Sequence, residues 1–297
     1  MNRPESAVPG SKPTIVVVGS VNLDLVATVP RLPAPGETVT DADLGRYPGG
    51  KGANQALAAR RLGADVLLYA RVGADANAEE ALAMLRDDGI NLADCSVDPD
   101  APTGIALISV APSGENQIVV VPGANRTLLP EVLELPWADA LICQLEVPVA
   151  TIRKAAEDFD GFFCINLAPA VAVPTEILIR ADLIVVNETE AEFYGDVLHE
   201  GRALVAITHG AKGAKLHKGG EELASARPPA VAAVDATGAG DTFTAALTVA
   251  LLEKMPHPVA LAFACAAGAC AATKHGAQPS LPYRDAVEKL LRVPGTD

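Results

Sequence analysis

Short runs of apolar residues recur along the chain, and most of them lack the polar alternation of a half-buried strand. They lie at residues 14–19, 66–72, 140–143, 162–165, 183–186 and 204–207. Apolar runs of this length without alternation are typical of parallel strands that are covered on both faces. Helices are expected between them, for example at 52–62, which ends at Gly63, and at 76–88, which ends at Gly89. The pattern therefore predicts a doubly wound α/β fold with a mostly parallel sheet and helices on both faces.

Four further apolar segments differ because only turn residues separate the members of each pair. The pairs are 23–29 with 38–44, and 103–110 with 117–121. The second pair flanks Pro112-Ser-Gly114, which is typical of a hairpin turn. We expect the regions 22–48 and 102–122 to form a small antiparallel β lid over the carboxyl edge of the main sheet, where ligands bind in such folds.

Length and end composition suggest how the chain is divided. Residues 1–12 are polar, contain two prolines and lack an apolar signal core, so we expect a disordered tail. Residues 13–297 are long enough to form one large α/β domain. Near the end of the chain, helices are expected at 258–273 and 283–291.

The charge of the chain limits its partners. The formal net charge is −14, and the lysines and arginines are scattered. This distribution argues against a nucleic-acid or anionic-membrane partner. The most apolar window, 259–272, is too short to span a bilayer. The five cysteines form no CxxC pair, so we expect free thiols in a reducing cytoplasm.

The segment 235–244, Asp-Ala-Thr-Gly-Ala-Gly-Asp-Thr-Phe-Thr, is the most informative part of the chain. It follows the apolar run 231–234, which we expect to be a short buried strand. It leads into a stretch of small residues at 241–254, which we expect to be a helix. The glycines therefore lie in a turn between a strand and a helix.

This turn has the features of an anion site with a base beside it. The N–H groups of Gly238, Ala239 and Gly240 lie at the helix N-terminus, where unpaired donors and the helix dipole favour a phosphate. Asp241 is placed to take a proton from a hydroxyl that attacks this phosphate. A plain turn with Asp241 as the helix N-cap would give the same residues.

Four other segments accompany this turn, and together the five match a known set of motifs in type and order. The segments are Gly49–Ala56 (GGKGANQA), Gln144–Glu146, Asn187–Glu192, Asp235–Asp241 (DxxGxGD) and Gly276–Ser280. The set resembles the PfkB-type sugar kinases, the ribokinase-like family, from about residue 14 to the C-terminus. The resemblance implies ATP-dependent phosphorylation of ribose, or of a similar small sugar, at O5. It also implies a cytoplasmic enzyme that forms a homodimer through its lid.

The resemblance implies a role for individual residues. Asp241 would be the general base, and the anion hole would be formed by Gly238, Ala239 and Gly240. The sugar pocket would contain Asn22, Asp24, Gly50, Lys51, Gly52, Asn54, Glu146 and Asp241. ATP would contact Asn187, Thr208, Gly210, Gly213 and Gly240. Mg²⁺ would be ordered by Asn187 and Glu190, and K⁺ would be bound by Asp235, Thr237, Ala271, Lys274, Gly276 and Ser280.

From the residues alone, simpler explanations remain open for several positions. Asn187 and Glu190 have the spacing of a capping box at a helix start. Asn22 or Asp24 would also fit a turn cap, and Glu146 would fit an exposed loop acid. The activity also has alternatives: another kinase of the family, acting on deoxyribose, fructose or pseudouridine, or a non-catalytic regulator that binds a sugar or nucleotide.

Some features depart from other known patterns or from the family pattern. The run 45–52 nearly matches a Walker A loop, but Gly52 stands where a magnesium-binding Ser or Thr is required. Residues 19–24 do not contain the GxGxxG of a dinucleotide-binding dehydrogenase. The segment 193–203 is short for the family, and Cys265 replaces a His expected near adenine, so the adenine contacts are not predicted in detail.

Overall fold

The computed structural model describes residues 12–113 and 115–292. Within them, a main sheet of nine strands is flanked by helices, and a second sheet has four strands. The main sheet has the spatial order β13 (Glu221–Ala226), β12 (Ala214–Lys218), β11 (Leu204–Thr208), β10 (Leu183–Asn187), β9 (Phe162–Asn166), β8 (Ala140–Gln144), β1 (Thr14–Val18), β4 (Asp65–Gly73) and β5 (Cys95–Asp98). The predicted mostly parallel sheet is confirmed, since only the pairings β11–β12 and β12–β13 are antiparallel among the described residues.

Helices cover both faces of this sheet, as the apolar runs predicted. Ile15 and Val17 of β1 belong to one buried cluster, and Val16 and Val18 belong to another. Alternate residues of a strand point to opposite faces, so β1 is buried on both sides. The helices are α1 (Lys51–Arg61), α2 (Ala76–Asp87), α3 (Val149–Asp158), α4 (Thr175–Arg180), α5 (Glu188–Tyr194), α6 (Ala239–Leu252), α7 (His257–Ala271), α8 (Ala277–Ser280) and α9 (Arg284–Arg292).

The second sheet is the predicted lid. Its strands are, in spatial order, β3 (Asp43–Gly49), β2 (Asn22–Thr28), β6 (Gly104–Val110) and β7 (Asn116–Val121). The two outer pairs are antiparallel and the central pair, β2 with β6, is parallel. The hairpin turn before β7 includes Gly114, which lies outside the described residues.

Two predicted elements of the sequence are wrong in position or kind. The second lid strand was expected at 38–44 but spans 43–49, because its pairing with β2 runs from Thr28↔Asp43 to Asn22↔Gly49. Residues 231–234 form no strand: they are mostly exposed, and Val234 is joined to the fold by its N–H to the carbonyl of Ala272. The last two residues of the run, Ala233 and Val234, lie in the wall of a cavity that is described below.

The other predictions about the chain have mixed outcomes. The predicted tail, 1–12, falls outside the described residues except for Lys12. All five cysteines are free, and Cys143, Cys164 and Cys265 are buried. Among the residues described, no helix has the length and apolar character needed to cross a membrane.

Candidate functional site

A cavity of about 800 Å³ lies between the carboxyl edge of the main sheet and the lid. The floor of the cavity brings together predicted site residues from four separate parts of the chain: Asn22 and Asp24 at the start of β2, Lys51 and Asn54 of α1, Glu146 after β8, and Asp241 of α6. The lid contributes alternate residues of three strands: Val26, Thr28, Ala106, Ile108, Val110, Asn116, Ile118 and Val120. The cavity therefore has a polar floor and a largely apolar roof.

Asp241 is buried in the first turn of α6 and is held by two amides of α1. Its Oδ2 accepts a hydrogen bond from Asn54 Nδ2 at 2.8 Å, and its Oδ1 accepts one from Gln55 Nε2 at 2.9 Å. α1 and α6 pack against each other along the site. The carboxylate is thus an oriented hydrogen-bond acceptor at the cavity wall, which is the state that a general base needs.

Glu146 is not an exposed loop acid, because it binds the N-terminus of α1. Its Oε2 accepts hydrogen bonds from Ser20 Oγ at 2.5 Å and from the N–H of Lys51 at 3.1 Å. Ser20 in turn accepts the N–H of Gly52 at 3.3 Å. A carboxylate at a helix N-terminus is stabilised by the unpaired donors and the dipole. Sequence reasoning missed Ser20, although it directly follows β1 at the ligand edge.

Space at this junction explains Gly52. A Cβ on Gly52 would lie 2.5 Å from the carbonyl carbon of Gly19, so only glycine lets α1 approach the end of β1 this closely. Gly50 precedes α1 with φ 89°, a conformation that favours glycine. Both predicted glycines therefore have a structural reason to be glycine, whatever they bind.

The position of Asp24 in the cavity raises its affinity for a proton. Burial, followed by the charges of Glu146 and Asp241, raises the pKa of Asp24 to about 7, although Lys51 acts in the opposite direction. Burial would lower the pKa of Lys51, but the surrounding carboxylates outweigh it and the pKa is raised. Lys51 therefore stays protonated, and Asp24 titrates near neutral pH.

Asn22 is positioned by a residue that the sequence did not reveal. Asn125 Nδ2 donates to Asn22 Oδ1 at 2.7 Å, and Asn125 Oδ1 accepts the N–H of Val21 at 2.9 Å. With Oδ1 already engaged, the Nδ2 group of Asn22 is left to face a ligand. Asn125 lies in a short turn after β7 and has no sequence signature of its own.

The helix at the predicted anion hole begins two residues earlier than expected, since α6 starts at Ala239. Gly238 is the N-cap with φ 78°, and its carbonyl accepts the N–H of Thr242 at 2.9 Å. Ala239 N–H is used locally, by the carbonyl of Ala236 at 3.1 Å. Among the described residues, the N–H groups of Gly238 and Gly240 have no protein partner. These two amides are therefore free to receive an anion.

Asp235 holds the loop that precedes the anion hole. Its Oδ1 accepts from Thr237 N at 2.9 Å and Thr237 Oγ1 at 2.6 Å, and its Oδ2 accepts from Gly276 N at 2.9 Å. Burial opposes ionisation, but these hydrogen bonds and His275 outweigh it, so the pKa of Asp235 is lowered. Asp235, Thr237 and Gly276 line the cavity, whereas three other predicted cation ligands do not: Ala271, Lys274 and Ser280. The Ser280 hydroxyl donates to the carbonyl of Ala277.

The predicted nucleotide residues lie outside the cavity lining. Asn187, Thr208, Gly210 and Gly213 are at the ends of β10 and β11, and Gly240 is in the first turn of α6. Asn187 and Glu190 form the capping box that their spacing indicated, with both hydrogen bonds at 2.8 Å. Glu190 is buried, and burial raises its pKa. Gly210 and Gly213 have φ 56° and 104°, and they form the turn after Thr208. In the part of the chain that is described, no group of three or more His, Cys, Asp or Glu side chains could hold a metal ion.

Comparison with known proteins gives a consistent result. A model of the pfkB family carbohydrate kinases matches residues 12–284. The ribokinase of Haemophilus influenzae is 36% identical in an alignment of 301 positions that covers 94% of this chain and 98% of that protein. The ribokinase of Bacillus subtilis is 36% identical in an alignment of 291 positions that covers 93% of this chain and 99% of that protein.

Solved structures agree in fold as well as in sequence. The ribokinase of Thermotoga maritima superposes with a TM-score of 0.85 at 33% identity, covering 94% of this chain and 99% of that chain. The ribokinase of Arabidopsis thaliana, complexed with ribose and ATP, superposes with a TM-score of 0.82 at 31% identity, covering 95% and 99%. The predicted ribokinase-like fold is thereby confirmed, and the chain belongs to the pfkB family of carbohydrate kinases.

Proposed function

We propose that this protein is an ATP-dependent ribokinase that phosphorylates D-ribose at O5 to give ribose 5-phosphate. The observation that carries the proposal is the position of Asp241, a buried carboxylate that lies both at the wall of a polyol-sized cavity and in the first turn of α6. The relatives support the choice of sugar, since those compared above are ribokinases and one of them was solved with ribose and ATP.

In this proposal the sugar lies on the polar floor of the cavity with its O5 hydroxyl at Asp241. Asp24 and Glu146 accept hydrogen bonds from other hydroxyls, and Asn22 and Asn54 supply amide groups. Gly50, Lys51 and Gly52 form the adjacent wall through their backbone. The apolar lid above them excludes water, which would otherwise compete as the nucleophile.

The chemical step transfers one phosphoryl group and one proton. The O5 oxygen forms a bond to the γ-phosphorus while the bond from that phosphorus to the β,γ-bridging oxygen breaks, and its electron pair leaves with ADP. The O5 proton goes to the carboxylate of Asp241. The free N–H groups of Gly238 and Gly240 stabilise the negative charge of the transferring group, and Lys51, which stays protonated, offsets the acidity of the cavity.

ATP would extend from the anion hole along the ends of β10 and β11. Asn187, Thr208, Gly210 and Gly213 are at this edge, and their turns leave backbone groups for the nucleotide. Asn187 and Glu190 would suffice to hold Mg²⁺ here, because waters and substrate phosphates supply most of the ligands of this ion and few protein ligands are needed. It would neutralise charge on the phosphates when bound.

A monovalent cation, K⁺, would be held beside the anion hole by Asp235 with oxygens from Thr237, Ala271, Lys274, Gly276 and Ser280. The donor set fits, since Asp235 is ionised and a carboxylate accepts about four hydrogen bonds or ligands. Three of these are used by Thr237 and Gly276. The fourth acceptor position of Asp235 is left for the cation, and the three hydrogen bonds brace the loop that carries Gly238.

We also propose a homodimer through the outer face of the lid. Leu44, Leu107 and Val119 are 67%, 46% and 60% exposed, and the pairings Leu107↔Val119 and Ala27↔Leu44 put them on the face opposite the cavity. Sedimentation of the purified protein tests this: a Leu107→Lys variant should sediment as a monomer. A wild-type monomer at micromolar concentration contradicts it.

The test of the activity is ADP release with ribose, deoxyribose, fructose and pseudouridine, on wild type and on Asp241→Asn. The amide that this substitution introduces finds an acceptor, because Asn54 Oδ1 has no partner among the described residues and a flip of Asn54 turns it toward the new N–H₂ group. We therefore expect turnover to fall by roughly 10²–10⁴ while ribose affinity is largely kept. Faster turnover of another sugar reassigns the substrate, and absence of ADP release with every sugar favours a non-catalytic regulator.

A further inference from the structure

A network of three side-chain amides lies directly behind Asp241, on the side away from the cavity. Gln55 Nε2 donates to both Asp241 Oδ1 at 2.9 Å and Asn166 Oδ1 at 3.1 Å. Gln55 Oε1 accepts a hydrogen bond from Gln144 Nε2 at 2.7 Å. Gln55 and Gln144 are fully buried, and Asn166 is 7% exposed. Gln55 and Asn166 make hydrogen bonds through both their oxygen and their nitrogen, whereas Gln144 Oε1 has no partner among the described residues. The arrangement is therefore defined at Gln55 and Asn166.

The direction of the hydrogen bonds in this network is fixed at its far end by the backbone. Asn166 Nδ2 donates to the carbonyl of Val185 at 3.1 Å, and a carbonyl can only accept. Asn166 Oδ1 must therefore face Gln55, and it requires a donor there. Gln55 meets it with its Nε2 group, whose second N–H is then directed at Asp241. Asp241 Oδ1 consequently always receives an N–H.

Gln55 is separated from the substrate by its helix. Asn54, the preceding residue of α1, lines the cavity, whereas Gln55 does not. Consecutive helical residues point about 100° apart, so one amide faces the cavity and the other faces the core. Asn54 bonds Oδ2 of Asp241 and Gln55 bonds Oδ1. The oxygen nearer the cavity is therefore Oδ2.

We propose that Gln55 is a positioning residue for the phosphoryl transfer: through Asn166 and the Val185 carbonyl it keeps Asp241 ionised and holds Oδ2 toward the sugar hydroxyl. An N–H fixed at Oδ1 leaves no room for a proton there and favours the carboxylate over the acid. The network thus offsets the neighbouring charges that oppose ionisation. That Asp241 acts as a base rests on the proposed function. The effect of Gln55 on Asp241 does not depend on a bound substrate.

Four charged groups face Asp241 from the elements around it, and three oppose its ionisation. Asp24 on β2, Glu146 after β8 and Glu190 on α5 are acids, and Lys51 on α1 is the single base among them. Among the described residues, the other hydrogen-bond donors to the carboxylate of Asp241 are neutral amides. Removal of one of them shifts the balance toward the protonated acid, which cannot act as a base.

The test is Gln55→Met, which keeps the length of the side chain and removes both N–H donors. At saturating ribose, where Asp24 is already engaged, we expect the acidic limb of the kcat profile to move up by about one pH unit, with turnover at pH 6 falling more than at pH 8. The KM for ribose should stay within about twofold, since Gln55 does not line the cavity. Gln144→Met is the matched control. It removes a hydrogen bond from the same network, but Gln144 makes no hydrogen bond to Asp241, so the acidic limb of its kcat profile should not move.

A second readout does not depend on activity. With aspartate labelled by ¹³C at its carboxyl carbon, and with Asp241→Asn to assign the signal, the titration of Asp241 should occur at higher pH in Gln55→Met than in wild type. If wild type phosphorylates ribose but neither the limb nor the titration moves, Gln55 is only structural and the proposed function stands. If no sugar is phosphorylated, the proposed function fails, and the titration alone supports or overturns the role of Gln55.

A third variant covers the case in which Gln55→Met does not fold. Gln55→Glu keeps the shape and sets a carboxylate against Asp241 at neutral pH. When protonated, the introduced carboxyl group has a single O–H, which Asn166 Oδ1 requires. Asp241 Oδ1 therefore receives no N–H in either state of the introduced group, and the acidic limb of the kcat profile should move up as in Gln55→Met. An acidic limb that stays at its wild-type position overturns the proposal.

Discussion

The raised pKa of Asp24 predicts that sugar affinity depends on pH near neutrality. In the protein without sugar, burial and the charges of Glu146 and Asp241 bring this pKa to about 7. Sugar hydroxyls that donate to Asp24 stabilise its ionised form, so sugar binding lowers the pKa and releases a proton. The affinity must therefore rise with pH, because at low pH part of the binding free energy is used to remove that proton.

The size of the effect follows from the two protonation states. If the pKa falls from about 7 to its ordinary range near 4 on binding, the dissociation constant for ribose should be about tenfold larger at pH 6 than at pH 8. Proton release should be about 0.9 per site at pH 6, roughly 0.5 at pH 7 and about 0.1 at pH 8. Both quantities concern the protein and sugar alone, in the absence of ATP and metal ions.

Isothermal titration calorimetry measures both the dissociation constant for ribose and the number of protons released, when two buffers of different ionisation enthalpy are used at each pH. Asp24→Asn should bind ribose more weakly and show no dependence on pH. His275→Gln is the matched control, because His275 also lines the cavity and histidine side chains ordinarily titrate in the same range. A dissociation constant that stays within twofold from pH 6 to 8, with no proton release, would refute the reasoning.

The raised pKa of Asp24 also affects the folding stability of the sugar-free protein, which should fall as the pH rises while the sugar affinity increases. Asp24 has a higher pKa in the folded protein than in the unfolded chain, so its contribution is fully present below the unfolded value of 3.8 and is lost as the pH rises through about 7. The sugar-free protein therefore carries an unfavourable buried charge above neutral pH. Asp24→Asn should raise the unfolding temperature more at pH 8 than at pH 6, which differential scanning calorimetry measures.

Three further predictions follow from the site and its surroundings. Glu146→Ala should weaken ribose binding by about 1.5–3 kcal/mol and also lower the unfolding temperature, since Ser20 and the start of α1 lose their acceptor; calorimetry measures both, and unchanged ATP affinity is the control. Asp235→Ala should lower activity and flatten the response to KCl at constant ionic strength, whereas a wild type indifferent to K⁺ contradicts the cation site. Burial, followed by the charge of the neighbouring His199, lowers the pKa of His217. The contribution of His217 to the free energy of unfolding should therefore be fully present above about pH 6.5 and be lost below it. Urea unfolding of His217→Gln should show a weaker dependence on pH in this range.

The sequence predicted the parallel sheet well because burial on both faces leaves a local trace. Runs such as 140–143 and 183–186 are apolar at every position, and each lies within a central strand. The lid strand at 43–49 left no such trace. Its residues include two glycines and a proline, and they form a strand only because β2 offers them a partner. Residues 231–234 show the opposite failure, since an apolar run also suits the wall of a cavity.

The residues that line the cavity could be predicted from sequence motifs, whereas the residues that hold them in place could not. Asp24, Asn54, Glu146 and Asp241 stand in recognisable motifs and meet at one cavity. Ser20 bonds Glu146, Asn125 bonds Asn22, and Asn166 bonds Gln55, in each case across parts of the chain that are far apart in sequence. No local pattern marks such a contact, because its partner is fixed only by the fold.

The pair Asn54-Gln55 shows how much the fold adds to a motif. In the sequence they are two adjacent amides in a glycine-rich segment, and nothing distinguishes their tasks. The packing of α1 against α6 places Asn54 at the cavity and Gln55 against the buried ends of β8 and β9. The two oxygens of one carboxylate are thereby held by two different environments. In the mechanism that we propose, Oδ2 meets the substrate while the N–H of Gln55 keeps Oδ1 from binding a proton. That difference would let Asp241 remain a base although three other acids surround it.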